Sequence, residues 1–459
     1  MIEKYQTINP SNGEVLGNYA TLSETQLEGV IETVFQAQKN WKQSALGYRI
    51  DCIRKIKEDL DKNIEQYAAL ITTEMGKPIT ESRAEITKCG FLCDFYIKNA
   101  RKLLADQPIH FEGLNAKRVF EPLGVIYTIM PWNFPFWQVF RSAIPSLLLG
   151  NGIILKHAEN VIGSGYAIEA IIRKASGIDI FKNIVIDLAL SPQIIKHKYI
   201  AAVTLTGSNR AGKIVAGEAG KVCKKALLEL GGSDAYILRK DIDIEAVAGH
   251  IVSARMANAG QVCISPKRLI VDVSIKAAFE NALIKNIKSI KIGDPKKTET
   301  MMGPMARRGL RDNVHRQVCA TVDEGAKLLT GGQPVATAHA DSLYYAPTVL
   351  TDVLPTMTAF KEEVFGPVIC ISVSYDDQEA VTLANASQYG LGGGIFTRDI
   401  ALAEKIAKYD IEAGMCFINQ CVTSHPALPF GGIKASGYGR ECSSEAFREL
   451  ANIKTVVCG

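Results

Sequence analysis

The sequence predicts an α/β protein with two domains, each built around a parallel β-sheet, and a small additional β element. Two series of short apolar runs alternating with helix-length amphipathic segments indicate this fold, one starting near residue 124 and one near residue 235. The length of 459 residues agrees, because such a chain exceeds what one hydrophobic core usually organises.

The first hundred residues precede both series, and we predict that they are helical. Ser23 is placed to cap a first helix, and a longer helix is predicted to end near Gly76 because Pro78 follows it. The apolar face of the first helix consists of Leu27, Val30, Ile31, Val34 and Phe35.

Ten apolar runs are predicted to be strands, five in each sheet, with the domain boundary at Leu230–Ser233. Residues 107–123 predict an isolated hairpin, which either packs between subunits or is a plain surface hairpin. The runs are GVIYTIM, GIILK, IVIDL, AAVTLTG and KALLEL in the first series, and AYILR, RLIVD, VICISV, GGGIF and MCFIN in the second.

Composition excludes several classes of function. The net charge is +4 and the two signs are interleaved, which argues against nucleic acid and anionic lipid as partners. The eleven cysteines are scattered and form no CxxC pair, which argues against a disulfide framework and against a zinc or other metal site. Because no segment resembles a signal peptide or a membrane span, we expect the reducing cytoplasm.

Three residues are candidates for catalysis. Cys263, in AGQVCIS, follows a predicted helix and precedes the strand RLIVD, so it is a candidate nucleophile; most cysteines are instead small core residues. Glu229, at the end of a strand in LELGGS, could act as a general base or belong to an ion pair. Asn133, in PWNFP, could donate to an oxyanion or form an ordinary turn.

Three further motifs accompany these: LTGS at Leu205–Ser208, EEVFGP at Glu362–Pro367 and PFGGIKASGYGRE at Pro429–Glu441. In this order, the six motifs resemble those of the aldehyde dehydrogenase superfamily, from residue 5 to the C-terminus. The interval between Glu229 and Cys263 also equals the family's usual one. The resemblance indicates a dinucleotide-binding site that a glycine-rich motif does not, because the sequence contains no GxGxxG motif.

The resemblance implies a division of catalytic roles and of domains. The Cys263 thiolate would attack an aldehyde, Asn133 and the Cys263 backbone N–H would hold the oxyanion, and Glu229 would activate water to hydrolyse the thioester. Residues 1–106 and 124–230 would form the dinucleotide-binding domain and 231–432 the catalytic domain. Residues 107–123 and 433–459 would form an oligomerisation element and C-terminal tail, in a homodimer or homotetramer.

The cofactor implied by the resemblance is NAD or NADP. Lys156 and Glu159, in KHAEN, match the family's Lys-Pro-x-Glu segment, with His157 in place of proline, and would bind the adenine ribose. The charge of Glu159 should repel a 2′-phosphate, which favours NAD. The other implied cofactor residues are Trp132, Gly207 and Ser208 near the phosphates, and Glu363 and Phe365 near the nicotinamide ribose and ring.

The substrate implied by the resemblance carries a carboxylate. Arg141 stands where the short bacterial succinate-semialdehyde dehydrogenases also have arginine, and a guanidinium pairs bidentately with a carboxylate. A structural ion pair is the alternative role. The second arginine of many such enzymes is replaced here by Ala257, which leaves Arg255 as a candidate. Ser424 could also face the substrate tail, whereas we expect His425 to be a structural loop residue.

Three other functions remain open on the sequence. A CoA-acylating dehydrogenase is disfavoured because such enzymes generally lack the general-base glutamate, and Glu229 is present. A catalytically silent member used as a binding protein is disfavoured because Cys263, Glu229 and Asn133 are all present. An enzyme for glutarate semialdehyde or an aliphatic aldehyde is not separated from one for succinate semialdehyde, since one methylene changes discrimination by only about 1–3 kcal/mol.

Overall fold

The computed structural model describes residues 4–336 and 342–458. The strands are β1 (Lys4–Ile8), β2 (Val15–Ala20), β3 (Gln107–Phe111), β4 (Leu114–Pro122), β5 (Val125–Met130), β6 (Gly152–His157), β7 (Phe181–Asn183), β8 (Ile200–Thr206), β9 (Lys225–Glu229), β10 (Ala235–Leu238), β11 (Arg268–Asp272), β12 (Lys327–Thr330), β13 (Thr348–Thr351), β14 (Val368–Ser374), β15 (Tyr389–Gly390), β16 (Gly392–Phe396), β17 (Met415–Ile418), β18 (Ile433–Lys434), β19 (Gly437–Tyr438) and β20 (Ala451–Cys458). The α-helices are α1 (Glu24–Trp41), α2 (Leu46–Lys62), α3 (Ile64–Met75), α4 (Ile79–Leu103), α5 (Trp137–Leu149), α6 (Ile162–Ser176), α7 (Ser191–Lys196), α8 (Asn209–Gly220), α9 (Ile244–Met256), α10 (Lys276–Lys288), α11 (Arg308–Asp323), α12 (Thr358–Lys361), α13 (Asp377–Asn385), α14 (Ile400–Lys405) and α15 (Glu445–Leu450).

The first domain is built on a six-stranded sheet in the order β19-β9-β8-β5-β6-β7. Strands β5 to β9 are parallel, and β5 is almost entirely buried, as expected for a parallel sheet that helices cover on both faces. The chain runs from β5 outward through β6 to β7, then returns to β8 on the other side. A crevice therefore opens beyond the carboxyl ends of β5 and β8, which is where sheets of this kind bind ligands.

The second domain contains a seven-stranded sheet in the order β12-β13-β14-β11-β10-β16-β17, parallel except at β12. A third sheet has three antiparallel strands in the order β20-β4-β3 and contains the predicted hairpin. Both predicted parallel-sheet domains and the small β element are therefore present.

The C-terminal segment differs from the expected division. Only β20 belongs to the small sheet, whereas β19 pairs with β9 and α15 packs on α5. Residues 437–450 thus extend the first domain, because the open edge of β9 accepts one more strand. This contact also brings the Pro429–Glu441 motif next to Glu229, whose register partner is Gly437.

Two predicted helix boundaries are confirmed, whereas one strand prediction and the wholly helical prediction for the first hundred residues are wrong. Ser23 caps α1 in a capping box with Gln26, and α3 ends at Gly76, which has a φ of 83°. The run IVIDL is not a strand, since β7 lies just before it and its isoleucines pack in the core beneath α1. The hairpin β1–β2 lies within the region predicted to be wholly helical.

No helix in the described part of the chain is long and apolar enough to cross a membrane.

Candidate active site

Four predicted site segments follow neighbouring parallel strands of the first sheet. Asn133 follows β5, Glu159 follows β6, Ser208 follows β8, and Glu229 is the last residue of β9. Because the carboxyl ends of parallel strands share one edge, the topology gathers these segments at the crevice.

The second domain faces this crevice with the loops that precede its strands. The side-chain amide of Asn133 donates to the carbonyl of Gln261 (3.0 Å), and that of Asn258 donates to the carbonyl of Asn133 (2.9 Å). The backbone of Gly232 lies against Cys263, since a Cβ added at Gly232 would lie 2.8 Å from the Cys263 carbonyl oxygen. The site predicted from separate motifs is therefore assembled between the two domains.

The Cys263 loop begins with a left-handed backbone segment. Asn258, Ala259 and Gly260 have φ values of 52°, 52° and 72°, a conformation that costs free energy for the two residues other than glycine. A Cβ on Gly260 would also collide with the carbonyl of Gly366. Such a loop keeps its shape only where surrounding contacts hold it.

Arg255 supplies several of those contacts. It is fully buried, and its guanidinium donates to the carbonyls of Val368 (2.7 Å), Gly260 (3.0 Å) and Val364 (2.8 Å) and to the Ser265 hydroxyl (2.6 Å). These acceptors contradict the expectation that Arg255 binds a substrate carboxylate, because its donors already fix the loop. We assign Arg255 to positioning the nucleophile loop.

Burial raises the pKa of the Cys263 thiol to about 12. The charges of Lys267 and Arg141 act in the opposite direction, and those of Glu363 and Asp234 add to the rise. The reactive thiolate therefore depends on nearby positive charge. Lys267, which no sequence motif indicated, lies beside the nucleophile: its ammonium donates to the carbonyls of Val262 (3.0 Å) and of Cys263 itself (2.5 Å).

A buried ion pair from the preceding part of the chain holds the backbone that follows Asn133. One carboxylate oxygen of Glu85 accepts from the backbone N–H groups of Phe136 (2.9 Å) and Trp137 (3.0 Å), at the start of α5. Lys77, in turn, forms a fully buried ion pair with Glu85. The Asn133 amide uses one hydrogen on Gln261, so its second N–H is available to an oxyanion.

Glu229 is buried and, among the described residues, neither of its carboxylate oxygens accepts a hydrogen bond. Burial, and then the charge of Glu441, raise its pKa well above the ordinary value, against the charges of Arg141 and Arg440. A side chain at Gly431 would lie 2.7 Å from Glu229, so glycine there leaves room for the carboxylate. An unpaired carboxyl of raised pKa is suited to proton transfer with water.

Arg141 lies on α5, a helix buried on every side. Its guanidinium forms an ion pair with Glu441 (2.5 Å) and stacks over the Phe430 ring, 4.3 Å from the centroid. Within the described part of the chain, its Nη2 has no hydrogen-bond acceptor. The structural ion pair considered from the sequence is present, and one face of the cation remains available.

The loop with Ser424 and His425 lies nearby. The Ser424 hydroxyl is buried without a hydrogen-bond partner among the described residues. His425 accepts from the backbone N–H of Ala427 (3.1 Å) and its ring contacts Phe91 edge-on at 5.2 Å. His425 thus organises its own loop.

The KHAEN segment keeps a defined shape although histidine replaces proline. The N–H of Ala158 donates to Nδ1 of His157 (2.9 Å), so Nε2 carries the proton and donates to the carbonyl of Pro135 (3.0 Å). Burial lowers the pKa of His157 to about 4, which keeps the ring neutral at neutral pH. His157 therefore links the segment to PWNFP.

The donor set in the crevice fits a dinucleotide. The Lys156 ammonium lies 3.5 Å from the Glu159 carboxylate. A cation is therefore adjacent to a carboxylate that can accept hydrogen bonds from both ribose hydroxyls. Ser208 caps α8, and a Cβ at Gly207 would meet nothing nearer than 3.7 Å, which leaves room for a phosphate at the helix N-terminus.

The nicotinamide residues predicted from EEVFGP lie on the opposite wall of the crevice. Phe365 contacts Trp132 edge-on at 5.9 Å, and Glu363 accepts from the N–H of Gly232 (3.0 Å). Arg307 also faces this space, 5.9 Å from the Trp132 ring and under the influence of the Glu159 charge. No sequence motif had indicated Arg307.

Comparison with known proteins agrees with this site. The model of the aldehyde dehydrogenase family matches residues 2–456. Succinate semialdehyde dehydrogenase (NAD(P)+) Sad of Escherichia coli strain K12 is 42% identical over 98% of this chain and 97% of its own length. Succinate-semialdehyde dehydrogenase (NADP+) of Mycolicibacterium paratuberculosis is 38% identical over 99% and 96%.

A solved structure gives the same result. The succinic semialdehyde dehydrogenase from Streptococcus pyogenes, in complex with NADP+, superposes with a TM-score of 0.95 at 35% identity, covering 98% of this chain and 99% of that one. The predicted resemblance and fold class are confirmed. The chain belongs to the aldehyde dehydrogenase family.

Proposed function

We propose that this enzyme oxidises succinate semialdehyde to succinate through a thioester on Cys263, with a nicotinamide dinucleotide as oxidant. The observation that carries the substrate is Arg141, a buried cation with an unpaired Nη2 whose charge acts on both Cys263 and Glu229. Three similar proteins named for succinate semialdehyde support the same choice.

Acylation begins with Cys263. The thiolate attacks the aldehyde carbon, the C–S bond forms, and the carbonyl oxygen becomes an oxyanion that the free N–H of Asn133 and the Cys263 backbone N–H stabilise. A bound nicotinamide dinucleotide, which Lys156, Glu159 and Ser208 would hold, would supply the oxidant that takes up a hydride from this carbon. The carbonyl then re-forms as a thioester on Cys263.

Deacylation uses Glu229. The carboxylate takes a proton from water as the water oxygen attacks the thioester, the C–S bond breaks, and Cys263 leaves as thiolate. Glu441, the other buried carboxylate of this region with no hydrogen bond to either oxygen among the described residues, forms an ion pair with Arg141, whereas Glu229 has no such partner. Glu229 also argues against transfer of the acyl group to CoA.

Arg141→Ala is expected to lower the ratio of kcat/KM for succinate semialdehyde to that for butyraldehyde by about 10- to 150-fold. The reason is that butyraldehyde has the same chain length without the carboxylate. Arg173→Ala, on the exposed face of α6, serves as the matched control and should keep the ratio. Initial rates on both aldehydes, with glutarate semialdehyde added, measure it. An unchanged ratio in Arg141→Ala would remove the main reason for naming a semialdehyde.

Cofactor preference is a separate proposal. Glu159 favours NAD by charge, but Lys156 at 3.5 Å and nearby Arg307 offset that charge. The names of the relatives include NADP+ and NAD(P)+, so they do not support a preference for NAD. We propose that both dinucleotides are used.

Glu159→Ser is expected to raise the ratio of kcat/KM for NADP to that for NAD by roughly tenfold, since it removes a negative charge beside the ribose 2′ position. Saturation kinetics with both cofactors measure this ratio. Glu169→Gln, on α6, whose carboxylate pairs with Lys182 of β7, is the control. A wild-type enzyme that already prefers NADP would overturn our interpretation of Glu159.

We also propose a homo-oligomer in the cytoplasm, with the three-stranded sheet as a subunit contact. Apolar side chains of this sheet are exposed in the single chain, among them Phe111, Ile453 and Val457.

A further inference from the structure

Lys88 is a lysine of α4 that has no charged partner. Its Nζ lies 4.3 Å from the centroid of the Trp137 ring, on the first turn of α5. Within residues 4–336 and 342–458 it makes neither an ion pair nor a hydrogen bond, although the residue is partly buried. A partly buried ammonium held against a ring retains donors for a ligand.

The contact of Lys88 with Trp137 places its ammonium against α5, the helix that carries Arg141. Trp137 and Arg141 are four residues apart on α5 and therefore share one face of the helix. On α4, Phe91 lies three residues after Lys88 and contacts His425, while Phe430 stacks on Arg141. The two helices and the segment 424–430 thus surround one region.

The two cations act on each other. Burial, and then the charge of Arg141, lower the pKa of Lys88 to about 8. The other charged or titratable groups around Lys88 are Cys442, Cys89 and Glu85, and Glu85 is already paired with Lys77. Two neighbouring cations, of which only one has a carboxylate partner, form a region where an added anion is stabilised.

We propose that Lys88 is a specificity-determining residue that binds the distal carboxylate of the substrate together with Arg141. This inference rests on the proposed semialdehyde substrate. Position 257, where many such enzymes have a second arginine for the substrate carboxylate, is Ala257 here, and the donors of Arg255 bind backbone carbonyls. In this proposal Lys88 of α4 supplies the second cation instead.

The test compares Lys88→Met with Lys98→Met, an exposed lysine on the same helix. For Lys88→Met, the ratio of kcat/KM for succinate semialdehyde to that for butyraldehyde should fall about tenfold, mainly through KM. Lys98→Met should keep the wild-type ratio. Lys88→Arg, which retains the charge, should restore most of the selectivity, and thermal melting checks that each variant is folded.

A pH profile provides a readout that a structural role would not give. In the wild type the selectivity ratio should fall as the pH rises through about 8, because Lys88 loses its positive charge. In Lys88→Arg this fall should be absent. Using the ratio of the two aldehydes cancels the titration of Cys263, which both reactions share.

The outcomes separate this inference from the proposed function. A wild type without preference for succinate semialdehyde contradicts both. A wild type with that preference, combined with a Lys88→Met ratio within about twofold of wild type, overturns the role of Lys88 alone. An equal loss on both aldehydes in folded Lys88→Met likewise overturns it, since the lysine would then be structural.

Discussion

Cys263→Ala is expected to lower kcat at least about 1,000-fold while the protein remains folded and binds the dinucleotide. The thiolate forms the covalent bond on which both half-reactions depend, and alanine offers no nucleophile. The loop should keep its shape, because Arg255 holds it through Gly260, Val364 and Val368. Steady-state reduction of the dinucleotide, with fluorescence titration of the reduced form, measures both effects.

The matched control is Cys319→Ala, an exposed cysteine on α11 outside the site. It should keep wild-type turnover. Residual activity of Cys263→Ala above a few per cent of wild type would assign the nucleophile to another residue.

Glu229→Gln is expected to lower steady-state turnover by about 100- to 10,000-fold and to leave a burst of about one reduced dinucleotide per active site. Attack by Cys263 does not need the carboxylate, whereas hydrolysis of the thioester does. Stopped-flow absorbance detects the burst, and mass spectrometry of the quenched enzyme should find the acyl group on Cys263. Glu412→Gln, on the surface, is the control.

The pH dependence of deacylation follows from the environment of Glu229. Burial and Glu441 raise its pKa, and only the ionised carboxylate can take a proton from water. Hydrolysis of the thioester should therefore speed up as the pH rises through that raised pKa, so the wild-type burst should be largest at low pH. A Glu229→Gln variant with normal turnover, or a burst that grows with rising pH, would place the base elsewhere.

The sequence predicted most strands because their apolar runs are short and bounded by turn residues. RLIVD and GGGIF are strands over their full length. It failed at Ile184–Ile186, since a buried apolar run has the same composition whether it forms a strand or an irregular segment beneath a helix. The missed hairpin β1–β2 carried one usable signal, the Asn12–Gly13 pair at its turn.

Within the site, the sequence by itself predicted which residues would carry the chemistry. The motifs around Asn133, Glu229 and Cys263 place a donor, a base candidate and a nucleophile at strand ends and in a loop, because those local positions follow from strand and turn patterns. The family and its fold followed from the order of the motifs.

Only the tertiary structure decided what each charged side chain binds. Arg255 lies two residues before position 257, where a second substrate-binding arginine is expected, but its guanidinium donates to backbone carbonyls. Arg141 pairs with Glu441, which lies near the C-terminal end of the sequence. Lys88, which no motif marked, lies over the Trp137 ring, four residues before Arg141 on α5. Secondary structure depends largely on residues that are close in sequence. The partner of a buried charge depends instead on which distant segments pack around it, and the spacing of residues along the chain does not encode that packing.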